Sequence, residues 1–210
     1  MIVSQLAQAS ATAPTPSLWK VQQSCDLGNK LTISTSAEIR RELADELKNL
    51  VKKCSGLQQL HLKLNSPGGS FYVAAEMIED LQILKKSGVE IITEVINGDE
   101  CDSMCVALYA QGDQRLAAPA AAFMFHGVAT FSITNIPDPT ITAQLIEILR
   151  KTPGLNQLWL DSLIADGVFS EPSMYWITGQ ELFSEKTGFA TELTTRHQKL
   201  KPYDRSYRSF

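Results

Sequence analysis

A serine, a histidine and a pair of glycines occupy positions where acyl-transfer chemistry could assemble. Ser103 lies in the stretch Glu-Cys-Asp-Ser-Met-Cys at residues 100–105, Gly68 and Gly69 end the stretch Asn-Ser-Pro-Gly-Gly, and His126 follows. Each piece stands where a predicted strand ends. Ligands and chemistry gather at the carboxyl ends of strands in open parallel α/β sheets. The set predicts a nucleophile, a general base and an oxyanion site, which together indicate a serine hydrolase.

Ser103 lies five residues beyond Gly98, at the start of a predicted helix. A strand-to-helix turn exposes a serine hydroxyl in the manner that suits a nucleophile. The N–H of Met104 then points to the same side and can donate to an oxyanion. The alternative is that Ser103 only caps the helix, which is the commoner role of such a serine when it is considered alone.

The glycine pair and His126 give Ser103 its context. Glycines after a strand permit positive φ and a close approach of substrate to the backbone, although an ordinary βα turn uses them too. His126 ends an apolar run and is the favoured general base. His61 lies in the middle of a predicted strand, and His197 lies in a polar tail, so both fit this role less well.

Strands and helices alternate along the chain. Thr35 to Glu38 matches a capping box and predicts a helix reaching to about residue 54. The following pattern predicts strands at 57–64, 90–96 and 120–126, and helices at 71–86, 103–111, 140–151 and 155–165. A second capping box, Thr178 to Glu181, predicts a short helix. This alternation indicates an α/β fold with a mainly parallel sheet.

Length and composition limit the possible domain organisation and partners of the protein. The 210 residues fit one domain, predicted over 17–194, between a flexible lead-in at 1–16 and a polar tail at 195–210. A net charge of -4 argues against nucleic acid or an anionic membrane as a partner. No apolar run predicts an integral membrane segment. Ala9-Ser10-Ala11 has the small-x-small form of a signal-peptidase site, so residues 1–16 are either the end of a signal peptide or a disordered start.

The four cysteines allow three pairings if all are oxidised. No C-x-x-C pair predicts a structural metal, and no cofactor is expected. Cys101 and Cys105 would lie about 6 Å apart at helical spacing, near the upper end for a disulfide. Such a bridge would pin the turn carrying Ser103 and would fit an oxidising compartment. It is favoured over the alternative, two buried reduced thiols.

The Asn-Ser-Pro-Gly-Gly stretch, the Ser103-Met104 pair and the run from Pro119 to His126 resemble the proteolytic subunit of the Clp protease, over about residues 57–193. The resemblance implies a ClpP/crotonase-like fold with repeated β-β-α units. It also implies Ser103 as nucleophile, His126 as base, and oxyanion donors from Gly68 or Gly69 and from Met104. Peptides or unfolded proteins would be the substrates, and relatives of this kind form homo-oligomers.

The Cys-x-Ser-x-Cys frame is similar to that of bacterial ClpP-like proteins predicted to be periplasmic. It favours a periplasmic or secreted location, with the cytoplasm left open. The N-terminal residues do not resemble the loops that meet an ATP-driven unfoldase, so no such partner is predicted.

The acid of the triad is the departure from this resemblance. In ClpP it lies two residues before an aromatic residue, and here either Ser173 or Met174 stands at that place. Glu171 is the nearest substitute, with Asp166 and Asp138 as weaker choices. A Ser-His dyad, or water in the third place, also stays open.

Three alternative functions follow. A ClpP-like binding or assembly protein would keep the site without the acid, and a crotonase-type acyl-CoA enzyme would use the same scaffold. A Ser-Lys peptidase would need Lys63, which we expect to face away.

Overall fold

Alternating apolar residues build the central sheet. The computed structural model describes residues 17–25, 28–129 and 136–194, so the predicted lead-in and polar tail lie outside the described residues. Strand β3 (Gln59–Leu64) turns Leu60, Leu62 and Leu64 to a buried face, while the residues between them are only partly buried. This two-residue period is what a sheet with one face against a helical layer requires.

Within the described residues this sheet has six strands, in the order β1 (Trp19–Gln23), β2 (Lys30–Thr35), β3, β4 (Glu90–Val95), β6 (Gln114–Ala117) and β9 (Glu192–Leu193). Strand β1 pairs antiparallel with β2, and all other neighbours in this sheet are parallel. The expected α/β class with a mainly parallel sheet is confirmed.

A second sheet of three strands carries the candidate site. Strand β7 (Ala122–Phe125) pairs parallel with β5 (Glu100–Asp102) and antiparallel with β8 (Tyr175–Thr178). Sequence patterns predicted only β7 of these three. Strand β7 continues an apolar run that begins at Ala120, whereas β5 has three residues of which two are acidic, and β8 has four residues that end in a threonine.

Six helices complete the described part of the chain. They are α1 (Arg41–Lys52), α2 (Phe71–Lys86), α3 (Met104–Tyr109), α4 (Pro139–Arg150), α5 (Gln157–Ala165) and α6 (Gly179–Ser184). No helix within the described residues is both long enough and apolar enough to cross a bilayer.

The two predicted capping boxes had opposite outcomes. At α6, Thr178 and Glu181 exchange both expected hydrogen bonds, so that prediction is confirmed. The box at Thr35 is wrong, because Thr35 ends β2 and its hydroxyl donates to the Leu18 carbonyl at 2.9 Å. Helix α1 begins six residues later, after Arg40, which provides no side-chain cap.

Arg115 is a buried charge that joins distant segments. Its side chain is 1% exposed and donates to four carbonyls, those of Gly112, Pro153, Gly188 and Phe189, at 2.7–3.0 Å. Since these carbonyls belong to the loops before β6, after α4 and before β9, one guanidinium fixes three connections. A planar group with five donors suits such a position.

Candidate active site

Three segments meet at the end of β5. On one side, the Ser66 amide donates to the Glu100 carbonyl at 2.7 Å, and the Asp102 amide donates to the Ser66 carbonyl at 2.9 Å. On the other side, the Ser103 amide donates to the Met124 carbonyl at 2.9 Å. The turn that holds Ser103 therefore lies between the glycine-containing turn after β3 and the strand that leads into His126.

Ser103 has a strained backbone and a hydroxyl that does not cap its helix. Its φ is +55° with ψ at -124°, which is uncommon for a residue other than glycine. Such a conformation costs on the order of 1–3 kcal/mol and is found where the surrounding structure imposes it, often at active sites. No capping hydrogen bond forms from its side chain. The role of helix cap, which was the alternative for this serine, is therefore wrong.

The lack of a side chain at Gly68 leaves room for the turn that carries Ser103. A Cβ atom at this glycine would lie 2.6 Å from Ser103 Cβ and 3.1 Å from the Met104 nitrogen. Ordinary contacts between carbon atoms are about 3.5–4.0 Å, so no side chain fits there. The φ of Gly68 is +88°, a second reason for glycine.

Some backbone amides near Ser103 already donate a hydrogen bond, and others are available to an oxyanion. The Gly68 N–H donates to Ser66 Oγ at 3.2 Å. The N–H groups of Gly69 and Met104 donate to no acceptor among the described residues. The backbone around Gly69 is held by Ile39, whose amide donates to the Gly68 carbonyl at 2.7 Å and whose carbonyl accepts from Ser70 at 2.9 Å. Of the two glycines, Gly69 is the one with an amide available for an oxyanion.

His126 directly follows β7 and is half-buried. Burial lowers the pKa of its imidazole below the ordinary 6.5, and a hydrogen bond with the Gly127 backbone opposes this only in part. The ring is therefore neutral at neutral pH, the form that a general base needs. Within the described residues, no hydrogen bond joins it to Ser103 Oγ; such bonds often tighten only when substrate is bound.

The pairing of β7 with β8 identifies the residue opposite His126. The last pair of the ladder is Phe125 with Tyr175, so the next positions on the two strands are His126 and Met174. Met174 is 65% exposed. Extending the register by one residue places Met174, rather than Ser173, opposite His126.

Within the described part of the chain, none of the other proposed acids forms an ion pair or a hydrogen bond with His126. Glu171 is exposed, and among the described residues neither an ion pair nor a hydrogen bond links it to His126. Asp138 accepts from the Thr140 and Ile141 amides as the cap of α4. Among the residues that the structure describes, no carboxylate contributes to the pKa of His126 either. Asp102, which is buried directly before the nucleophile, was not among the acids predicted from the sequence.

Two disulfides are present. Cys101 is joined to Cys105 across the Ser103 turn, with Cα atoms 5.1 Å apart. Cys25 is joined to Cys54, with Cα atoms 5.4 Å apart, and this bridge connects the chain after β1 with the chain after α1. No group of three or more possible metal ligands occurs in the part of the chain that the structure describes.

A separate polar cavity of about 180 Å³ lies at the carboxyl edge of the larger sheet. Glu94 is 3% exposed there, and its Oε2 lies 3.0 Å from His61 Nε2 and 3.7 Å from Lys63 Nζ. Burial, together with Glu100 and Glu94, raises the pKa of Asp99 in this cavity to about 6. Because Lys63 pairs with Glu94 in this separate cavity, the geometry does not support a Ser-Lys peptidase.

A family model described as Clp protease matches residues 20–159, about two thirds of the chain. The matched part includes Gly68, Gly69, Ser103, Met104 and His126, and it ends before Ser173 and Met174. No curated protein matches the sequence.

Proposed function

Since the chain belongs to the Clp protease family, we propose that it hydrolyses peptide bonds through an acyl-enzyme formed on Ser103, with His126 as the general base. The observation that carries the proposal is the state of Ser103: a strained φ of +55° and a hydroxyl not used as a cap. Its amide is bonded to the strand that leads into His126, and Gly68 packs directly against its Cβ. This combination suits a nucleophile and gives a structural serine no advantage.

The chemistry follows from these positions. Neutral His126 accepts the proton of Ser103 as its oxygen attacks the peptide carbonyl, and the amides of Gly69 and Met104 stabilise the oxyanion. Protonated His126 then donates to the leaving amine. Water, deprotonated by the same ring, releases the acyl group and restores the serine. Each missing oxyanion donor costs about 10²–10³ in rate in enzymes of this kind.

We propose that the catalytic unit is a Ser-His dyad. Met174 occupies the place opposite His126, and no described carboxylate perturbs the histidine. Loss of the acid lowers the rate of such sites by about 10⁴ while leaving chemistry in place. The same observation favours a second candidate, a ClpP-like binding or assembly protein whose activity has been lost.

Peptide hydrolysis separates the two candidates. The wild-type chain is incubated with a mixed peptide library and with an unfolded protein, and new amino termini are counted by mass spectrometry. Ser103→Ala removes the nucleophile, whereas Ser87→Ala removes an exposed hydroxyl at the end of α2 and serves as the matched control. Cleavage that is lost only in Ser103→Ala supports the peptidase. Absence of Ser103-dependent cleavage in folded protein supports the binding role.

The cellular setting is a further part of this proposal. Two disulfides favour an oxidising compartment, and we propose a periplasmic or secreted location. Alkylation of free thiols in intact cells tests it, because all four cysteines should resist the reagent until a reductant is added. Membership of the Clp protease family supports self-association, which sedimentation velocity measures directly.

A further inference from the structure

The Cys101–Cys105 disulfide encloses the nucleophile. Cys101 lies in β5, Cys105 lies in the first turn of α3, and Ser103 is midway between them. Both cysteine side chains are fully buried, and their Cα atoms are 5.1 Å apart. A covalent link therefore joins the end of the strand to the start of the helix, across Ser103 with its strained backbone.

Few hydrogen bonds hold Ser103 itself in the turn, although the residues of α3 that follow it are buried. The Ser103 amide donates to Met124, the Val106 amide donates to the Ser103 carbonyl at 3.0 Å, and the hydroxyl contributes no capping bond. Gly68, on the facing turn, packs against Ser103 with backbone atoms alone. Helix α3 has only six residues, too few to be stable by itself. Something must oppose the tendency of Ser103 to return to a relaxed φ.

We propose that the Cys101–Cys105 disulfide is a positioning device for the nucleophile. It holds the strand end and the first helical turn at a fixed separation. Ser103 thus keeps its strained conformation, and the Met104 amide stays beside Gly68 on the oxyanion side. The inference rests on the proposed peptidase function and adds that catalysis depends on the oxidised state of this pair.

The other disulfide provides an internal comparison. Cys25 and Cys54 are 29 residues apart in sequence, whereas Cys101 and Cys105 are only four apart. A cross-link constrains the unfolded chain more when it closes a longer loop. The bridge at Cys25 should therefore contribute more to global stability, while the bridge at Cys101 acts locally on the Ser103 turn.

Chemical reduction of the Cys101–Cys105 disulfide should likewise release the Ser103 turn. A thiolate of a dithiol reductant attacks one sulfur of the pair and forms a mixed disulfide, and its second thiolate then displaces the protein sulfur. The products are two cysteine thiols and the cyclic disulfide of the reductant, with two electrons passed to the protein. Since both sulfurs lie in the core, the reductant reaches them only through local opening.

The test compares two double variants, Cys101→Ala/Cys105→Ala and Cys25→Ala/Cys54→Ala, with the wild type. A fluorophosphonate probe measures the reactivity of Ser103, and thermal unfolding measures stability. We expect the labelling rate of the Cys101→Ala/Cys105→Ala variant to fall about 100-fold, because a displacement of a reacting group by about 1 Å can have an effect of this size. Its Tm should fall less than that of the Cys25→Ala/Cys54→Ala variant, whose labelling should stay within twofold of wild type.

With a peptide substrate, the loss in the Cys101→Ala/Cys105→Ala variant should appear in kcat, with KM within twofold, because only the reacting group is displaced. Wild type reduced with dithiothreitol, and shown by circular dichroism to remain folded, should lose labelling in the same way. Labelling of this double variant within threefold of wild type would overturn the inference.

Amide hydrogen exchange keeps the inference separate from the proposed function. If the wild type takes up no probe, the peptidase proposal fails, yet the amides of Ser103 and Val106 still report on the turn. Faster exchange of these amides in the Cys101→Ala/Cys105→Ala variant, and not in the other one, would support the positioning role. Equal exchange in both variants would reject it.

Discussion

Replacement of Gly68 by alanine should disable the site with little change to the rest of the fold. The new Cβ would lie 2.6 Å from Ser103 Cβ, about 1 Å closer than an ordinary carbon contact. The Ser103 turn must retreat by about that distance. A misplacement of about 1 Å can cost about 100-fold in rate, or about 2.7 kcal/mol of transition-state stabilisation.

Gly88→Ala is the matched control. Gly88 has a φ of +87°, against +88° for Gly68, and a Cβ there meets no atom within 4 Å. Both variants therefore bear the same backbone penalty, about 1–2 kcal/mol for an L-residue with positive φ. Only Gly68→Ala adds the contact with the nucleophile.

Two measurements separate the backbone penalty from the contact with the nucleophile. Urea unfolding should show a loss of about 1–2 kcal/mol in Gly88→Ala and a larger loss in Gly68→Ala. The value of kcat/KM on a peptide substrate should fall about 100-fold in Gly68→Ala and stay within twofold of wild type in Gly88→Ala. Equal activities in the two variants would show that Gly68 does not set the position of a catalytic serine.

Three further predictions concern the histidine, its missing partner and the buried arginine. Because burial lowers the pKa of His126, the base stays neutral as the pH falls through 6.5, and kcat/KM should decline only below that pH. His126→Gln should remove this decline of kcat/KM at low pH. Met174→Asp places a carboxylate opposite His126 and should raise kcat at least about tenfold, measured against Met174→Asn. Arg115→Lys cannot serve all four carbonyls and should cost about 2–4 kcal/mol in urea unfolding, whereas Arg150→Lys, at a half-exposed ion pair, should cost less than about 1 kcal/mol.

Local signals in the sequence were sufficient where the interaction itself is local. The capping box of α6 is made by Thr178 and Glu181 alone, three residues apart, and the prediction is confirmed. The same pattern failed at Thr35, because a distant carbonyl, that of Leu18, takes the hydroxyl that would have capped a helix. Sequence spacing shows that a bond could form, and the tertiary fold decides whether it does.

The candidate site depends on contacts that sequence patterns do not encode. Strand β5 has three residues and exists because β7 and Ser66 pair with it on either side. The choice of Met174 over Ser173 comes from the register of β7 with β8, which only the assembled sheet provides. The burial of Arg115 was equally beyond prediction, since its carbonyl partners in the loops after α4 and before β9 are distant in sequence.

The role of Ser103 as nucleophile is tested most directly by mapping the serine that an active-site probe modifies. Wild-type protein is treated with a fluorophosphonate, digested, and sequenced by tandem mass spectrometry, with Ser103→Ala and heat-unfolded protein run alongside. If Ser103 is the nucleophile, it is the one residue that is phosphonylated, and only in folded protein. A modification at another serine, or equal labelling of Ser103→Ala, would contradict this role.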